Sequence, residues 1–298
     1  MMLSFKNKLF PLPADRRANS GFGLIELMIG MVVMSIVATG VFATFQTSRR
    51  SAMTQRQVAD MQQQLRGSFY VMEKEIRGAG FDPTGAGPAA GTPAGITDIR
   101  KYGIAATPNP PGAPNLAGRP VLTMTFDRDQ FGVSDGVLEQ STYLLYDIDN
   151  DGIVDLARTT DGGITYDLVA EGIQDIGFAY AIDDDLDGFL DMSPNGNMIW
   201  AVDSDNDNLL DLILDTNDDG VIDEGDITGG GVALAAPVAL DRIRMVRIWL
   251  LCRSSRPTQQ ATIDSRSYLV GDRIVPAAND NFRRLTLEIS TKCRNLGL

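Results

Sequence analysis

A run of apolar residues near the start of the chain predicts a membrane-spanning helix. Residues 22–45 contain a single charged side chain, Glu26. At 1.5 Å per residue the run reaches about 36 Å, which covers a hydrocarbon core of about 30 Å. Residues 1–21 are basic and include two prolines, which exclude one continuous helix before the apolar run.

A second apolar pattern continues this helix beyond the membrane run. Its members recur every three or four residues, the spacing of one helix face. They are Val58, Met61, Leu65, Phe69, Met72 and Ile76. Gly78 and Gly80 provide a helix end, and Pro83 follows them. We therefore predict one helix over 22–80, with 22–45 in the membrane and the second stripe packed on a sheet; a coiled-coil seam is the alternative.

The remaining pattern predicts a β-rich domain. Residues 81–119 are rich in Pro, Gly and Ala, and we expect a long surface loop there. Strands are predicted at 121–126, 138–146, 164–169, 176–182, 242–252, 267–270 and 285–293. The last alternates apolar and polar residues, as a half-buried antiparallel strand requires. The predicted fold class is α+β: a long N-terminal helix packed on an antiparallel sheet, with the β-rich domain over 120–298.

Composition excludes several classes of protein. Of 298 residues, 44% are apolar and 22% charged, which is typical of a folded chain. Histidine is absent, and with it Ser/His/Asp catalysis and histidine-ligated metals. The net charge of −13 argues against a nucleic-acid partner. Gly85-x-Gly87 has neither a strand before it nor a helix after it, so it is not a nucleotide site. We expect neither an enzyme nor a small-molecule substrate.

Negative charge is concentrated in residues 147–226. This segment holds 21 Asp and two Glu against one Arg, a net charge of −22, so the rest of the chain carries +9. Such a density of carboxylates repels itself into an extended coil unless cations neutralise it. A solvated acidic linker is the alternative to a cation-binding insert.

Four stretches of this acidic segment match the spacing DxDxDGxxD, with Asn208 at the Gly position of the third. They are loop I (Asp147, Asp149, Asp151, Asp155), loop II (Asp183, Asp185, Asp187, Asp191), loop III (Asp203, Asp205, Asp207, Asp211) and loop IV (Asp215, Asn217, Asp219, Asp223). Alternate side chains converge when such a loop curls, and Gly or Asn tolerates the left-handed turn. Hard oxygen ligands in these numbers suit calcium.

The twelfth position, which gives a bidentate carboxylate in strong calcium loops, is acidic only in loop IV, at Asp226. Arg158, Pro194 and Leu214 occupy it in loops I, II and III. Those loops must take ligands from neighbouring segments or bind weakly, at about 10⁻⁴ to 10⁻³ M. The loops resemble those of EF-hands and dockerins, and the head-to-tail spacing of loops III and IV resembles thrombospondin-type repeats.

The sequence Ser-Gly-Phe-Gly-Leu-Ile-Glu-Leu-Met at 20–28 resembles the type IV prepilin signature, in which a basic leader ends in Gly, Phe follows, and Glu is the fifth mature residue. The resemblance implies that prepilin peptidase removes residues 1–21 by cutting between Gly21 and Phe22. It also implies that the new amino terminus of Phe22 is N-methylated. Gly23 departs from the hydroxyl residue usual at the second mature position.

Glu26 has a physical reason to pair with this amino terminus. A carboxylate at the bilayer centre costs about 2.5 to 3.5 kcal/mol, and a free amine at a helix start opposes the helix dipole. Each charge relieves the other, either within one helix at i, i+4 or between neighbouring subunits of a filament. The resemblance favours the neighbouring subunit; a carboxylate lying in the headgroup layer is the alternative.

Three further passages, 75–81, 172–180 and 283–295, resemble the PilW family of minor pilins and the J-type pseudopilins of type II secretion. The resemblance implies a minor pilin that helps to start a type IV pilus or lies near its tip, beside major and other minor pilins. It implies an inner-membrane precursor with a periplasmic domain, and later a surface pilus. A type II secretion pseudopilin and a calcium-dependent pilus adhesin are the alternatives.

Cys252 and Cys293 lie near the ends of two predicted strands. Once the leader is processed they lie outside the reducing cytosol, so we expect a disulfide. It would close a loop of about 40 residues and stabilise the domain by about 4 kcal/mol. Two buried free thiols are the alternative.

Overall fold

The long helix is present. The computed structural model describes residues 23–82, 94–102, 118–127, 139–149, 152–258 and 263–296. Within them α1 runs over Leu24–Gly78. The chain divides into two compact units, Met1–Ala52 and Met53–Leu298. In the first unit the large apolar side chains from Leu24 to Phe45 are exposed. Its helix is long and apolar enough to cross a membrane, with a mean hydropathy of 2.2 in the most apolar window.

In the second unit the remainder of α1 buries the predicted stripe. Met61, Leu65 and Phe69 are buried, as are Met72 and Ile76 one and two turns further on. The helix ends as predicted, because Gly80 has a left-handed φ of +74°. A side chain there would also collide with Leu296, so only glycine fits.

The β-rich part contains the following strands and one further helix. The strands are β1 (Gly95–Asp98), β2 (Lys101–Tyr102), β3 (Arg119–Pro120), β4 (Leu122–Thr125), β5 (Gln140–Tyr146), β6 (Asp155–Thr159), β7 (Asp167–Ala170), β8 (Ile173–Ile182), β9 (Ala201–Val202), β10 (Leu209–Ile213), β11 (Val232–Ala239), β12 (Ile243–Arg253), β13 (Tyr268–Val270), β14 (Arg273–Val275) and β15 (Arg284–Lys292). Helix α2 spans Glu224–Gly229.

Two antiparallel sheets form the body of the second unit. One has the order β1-β4-β5-β6-β7, and the other β11-β10-β9-β8-β12-β15. The stripe of α1 shares one apolar core with Leu122 and Tyr143 of the first sheet and Phe178 and Ile248 of the second. The predicted α+β class, a long helix packed on antiparallel sheet, is confirmed.

The second sheet is buried on both faces, which explains the nearly continuous apolar runs of β8 and β12. Its face away from α1 packs in a separate cluster with Trp200, Leu214 and Ile222. Two residues of this cluster come from the acidic loops: Leu214 is at the twelfth position of loop III, and Ile222 lies in loop IV.

One expectation about a segment is wrong. The segment 81–119 is not all loop, because β1 and β2 lie in it; residues 83–93 and 103–117 lie outside the described residues. The acidic segment 147–226 is not an unstructured linker, which was the alternative interpretation, because it contains β6 to β10. Its longest strand, β8, pairs with β12 in the middle of the larger sheet.

The predicted disulfide is also wrong. Cys252 and Cys293 are buried free thiols. In the β12–β15 ladder Cys252 lies opposite Leu285, whereas the Cys293 amide donates to the Arg244 carbonyl at the other end of β12. Eight strand residues separate the two ends, about 26 Å, and a disulfide requires Cα atoms within about 7 Å.

Candidate functional site

The start of α1 places the Glu26 carboxylate against the backbone of Gly23, the first residue that the structure describes. Gly21 and Phe22 lie outside the described residues. The Gly23 amide donates to Glu26 Oε2 at 3.0 Å. Gly23 directly follows Phe22 in the chain, so the carboxylate is turned back toward the helix start rather than along the helix.

The acidic loops share one backbone conformation. The fourth and sixth positions are left-handed in three of them: Leu186 and Gly188 in loop II, Asn206 and Asn208 in loop III, Asp218 and Gly220 in loop IV. In loop I Gly152 is left-handed at the sixth position, and Asn150 and Asp151 lie outside the described residues. Gly and Asn adopt this conformation at low cost, which is why they recur there.

The first carboxylate of a loop accepts the amide of the sixth residue. Gly152 donates to Asp147 at 2.9 Å, Asn208 to Asp203 at 2.9 Å, and Gly220 to Asp215 at 2.8 Å. These hydrogen bonds curl each loop around its first Asp. Loop II keeps the same backbone, but its Asp183 carboxylate makes different contacts, described further below.

Two loops bring three carboxylates together. Oxygen atoms of Asp183, Asp185 and Asp187 lie within 4.8 Å of one another, and the same holds for loop III with Asp203, Asp205 and Asp207. In each group the first Asp is buried and the other two are exposed.

Burial and like charge together disfavour the ionised state of one carboxylate in loop III and one in loop II. Burial is the main cause that raises the pKa of Asp203, and the neighbouring carboxylates of Asp207 and Asp205 add to it. Burial likewise raises the pKa of Asp191, where Asp185, Asp184 and Asp183 add to it. A bound cation would remove both penalties.

In loops II and III the carboxylate at the ninth position accepts the backbone amide of the second residue and so closes the loop, whereas in loop IV it does not. Asp191 accepts the Asp184 amide at 3.0 Å, and Asp211 accepts the Ser204 amide at 2.8 Å. In loop IV the ninth residue instead caps α2, where the Asp223 carboxylate accepts two backbone amides.

In loop IV it is Asp226 that accepts the backbone amide of the second residue. Its Oδ1 accepts the Thr216 amide at 2.9 Å, and the residue is 1% exposed. Burial raises the pKa of Asp226, but the hydrogen bonds from Thr216 and Asp223 outweigh it, so the pKa is lowered. The spacing Asp-x-x-Asp at 223–226 is a capping-box signal that the sequence analysis missed.

The non-acidic twelfth residues serve the fold. Arg158 donates from Nη1 to Glu75 in α1 at 2.7 Å and from Nη2 to Asp167 at 3.0 Å. Leu214 is buried in the core, and Pro194 lies in the turn after loop II. None of the three offers a carboxylate, so a cation in these loops would need its further ligands from other segments.

Polar residues that were not predicted as ligands connect the loops to the rest of the domain. Asn206 and Asn208 of loop III accept the amides of Lys101 and Ile99 at 2.9 and 3.1 Å. Asp218 of loop IV accepts hydrogen bonds from Ser193 and Asn197, which follow loop II. These hydrogen bonds lower the pKa of Asp218. The sequence carried a signal for these contacts, because each of the three residues is an Asn or Asp that lies between two predicted ligands.

Loop I borders a polar cavity of about 150 Å³ against α1. Acidic residues from three segments line it: Asp60 of α1, Asp149 and Asp155 of loop I, and Glu171 before β8. Arg253 lies on the same cavity. Acidic side chains from outside loop I therefore border the same cavity as Asp149 and Asp155.

Comparison with known proteins identifies the N-terminal segment. Residues 16–42 match the family model of the prokaryotic N-terminal methylation motif. The chain carries a prepilin-type signal. The match contains the predicted cleavage position and Glu26, and it covers the start of α1.

A likeness to one solved structure was also found. A type IV-like pilin from Thermus thermophilus aligns with a TM-score of 0.36 and 11% sequence identity, over 79% of this chain and 98% of that chain. Among curated proteins no sequence matches the chain.

Proposed function

We propose that this protein is a minor pilin of a type IV pilus, a structural subunit that acts in the initiation of assembly or at the tip. The observation that carries the proposal is the prepilin-type signal at 16–42, joined to a helix whose apolar side chains from Leu24 to Phe45 are all exposed. An exposed apolar helix of this kind needs lipid or other apolar helices around it.

In this proposal prepilin peptidase cuts between Gly21 and Phe22, and Phe22 is methylated. The precursor lies in the inner membrane with its domain in the periplasm, and the processed protein joins major and other minor pilins in the pilus. The contact of Gly23 with Glu26 supports a carboxylate already placed for an amino terminus at Phe22, in the same chain or in a neighbour.

Calcium is proposed to stabilise the domain. The residues present fit the ion, because two loops each gather three carboxylates and the first Asp of each group is buried. A buried carboxylate such as Asp203, whose pKa burial raises, is costly to ionise alone, so an ion that prefers hard oxygen ligands has a favourable place to bind. We propose a structural role for these Asp residues and no catalytic one.

A calcium-dependent adhesin is a second candidate. Large apolar side chains on and beside loops II and IV are exposed: Leu186, Phe189 and Met192 by 56–73%, and Val221 by 58%. Apolar side chains on loop tips among carboxylates provide a contact surface that a purely structural loop does not need.

Deletion of the gene tests the proposal. We expect loss of surface fibres by electron microscopy, restored by the wild-type gene. Glu26→Ala should still be cleaved but should fail to enter fibres. Normal fibre numbers in the deletion strain would contradict a role in assembly, and lost surface attachment that requires calcium would then favour the adhesin.

A further inference from the structure

The carboxylate of Asp183 differs from the equivalent groups of loops III and IV. Asp203 accepts backbone amides from Asn206 and Asn208, one on each oxygen. Asp215 likewise accepts Asp219 and Gly220, one on each oxygen. Asp183 is 1% exposed, yet its Oδ1 has no hydrogen-bond partner among the described residues. Buried carboxylate oxygens are almost always satisfied, so this one indicates a missing partner.

Arg244 does not supply that partner. Its Nε lies 3.6 Å from the other oxygen, Asp183 Oδ2, which is beyond a normal hydrogen bond. The Arg244 Nε is itself without a hydrogen-bond partner in the described part of the chain. The two side chains are 5% and 1% exposed, so bulk water does not reach them.

The neighbouring carboxylates indicate that the missing partner of Asp183 is a cation. Carboxylate oxygens of Asp183, Asp185 and Asp187 lie within 4.8 Å of one another. At these separations one cation can contact all three carboxylates. Three oxygen ligands on one flexible loop are the coordination that calcium prefers, and magnesium would demand a more regular geometry.

We propose that loop II is the principal calcium site of this protein, with Asp183 as its buried ligand, and that the ion stabilises the larger sheet by fixing the end of β8 beside β12. Asp183 directly follows β8, and Arg244 belongs to β12. The Arg244 carbonyl also accepts the Cys293 amide, just after β15. This inference rests on the calcium part of the proposed function.

Thermal unfolding of the full-length protein in detergent micelles tests the inference. The protein is stripped with a chelator and titrated with CaCl₂ at constant ionic strength. Asp185→Asn/Asp187→Asn alters loop II, and Asp205→Asn/Asp207→Asn is the matched control in loop III. All four positions are exposed, so both variants should fold. We expect the wild-type Tm to rise with calcium, the loop II variant to need at least tenfold more calcium for half of that rise, and the loop III variant to keep the wild-type midpoint.

Asp183→Asn provides the second measurement, because it removes the buried charge but keeps the shape of the side chain. It should abolish the calcium-dependent rise. A wild-type midpoint in the loop II variant or in Asp183→Asn would overturn the inference and leave calcium at the other loops. If wild-type Tm does not respond to calcium, the inference and the calcium part of the proposed function both fail, while the pilus role is judged separately by the deletion strain.

Discussion

Arg158 of β6 donates a 2.7 Å hydrogen bond to Glu75 of α1. The same carboxylate accepts the Tyr143 hydroxyl of β5 at 2.7 Å. Burial, and then the Glu75 charge, raise the pKa of Tyr143 well above its usual value, so the phenol remains a donor at all ordinary pH values. One carboxylate thus fastens the last turn of the helix to two strands of the smaller sheet.

Replacing Glu75 by Ala should therefore destabilise the domain by about 2 to 3 kcal/mol, because two donors lose a charged acceptor. Glu73→Ala is the matched control on the same helix: Glu73 pairs with exposed Arg77 at i, i+4, worth about 0.5 kcal/mol or less. Urea unfolding followed by circular dichroism measures both. Equal losses for the two variants would contradict the role given to Glu75.

Asp226 should be the most sensitive carboxylate of loop IV. Asp226→Ala leaves the backbone amides of Thr216 and Asp223 without their acceptor, and we expect a loss of about 2 kcal/mol in calcium-free buffer. Asp184→Ala, at an exposed position of loop II, should change stability by less than about 0.5 kcal/mol. A loss at Asp226 no larger than at Asp184 would show that loop IV is not closed by this residue.

Acid should weaken the contact between Asp280 and Arg284. Both Asp280 oxygens accept from the Arg284 guanidinium at 2.7 Å, which holds the pKa of Asp280 below its usual range. A lowered pKa in the folded state contributes stability that is complete above the unfolded value of about 3.9 and is lost as the pH falls through the folded value. Asp280→Asn should be less stable than wild type near pH 7, and the difference should shrink below about pH 4. Unfolding midpoints across that range measure it, and a constant difference would refute it.

The cysteines should behave as two inert thiols. Burial raises the pKa of Cys252 and of Cys293 to about 12. Alkylation of the native protein at about pH 8 should therefore be slow, and two thiols per chain should react after denaturation without reductant. Electrophoretic mobility should be the same with and without reductant. Recovery of a 252–293 disulfide peptide by mass spectrometry would contradict the strand register.

The features that depend on periodicity and local chemistry were predicted correctly from the sequence. The stripe of α1, its end at Gly78 and Gly80, and the long strands around 176–182 and 242–252 follow from repeats of 3.6 and from apolar runs. Strand β6 was missed because its five residues follow an acidic loop and carry Asp155 and Arg158. The disulfide failed because strand register is a long-range property: which end of β12 meets Cys293 depends on pairing, not on either cysteine.

The acidic loops show the same contrast between local spacing, which the sequence reveals, and contacts with distant segments, which it does not. The spacing of the carboxylates predicted that side chains converge in all four loops, and the structure gathers three acids in each of loops II and III. It did not predict that Asp223 caps α2 or that a buried oxygen of Asp183 has no hydrogen-bond partner among the described residues, because both depend on neighbouring segments.

Mass spectrometry of the native N-terminal peptide tests the central claim most directly. The protein should be purified from cells that hold prepilin peptidase, with a peptidase-deficient strain as control. The proposed processing predicts a peptide that begins at Phe22 and carries one added methyl group on its amine, and an intact leader in the control. A native chain that still begins at Met1 in both strains would contradict the proposal that this protein is a processed pilin.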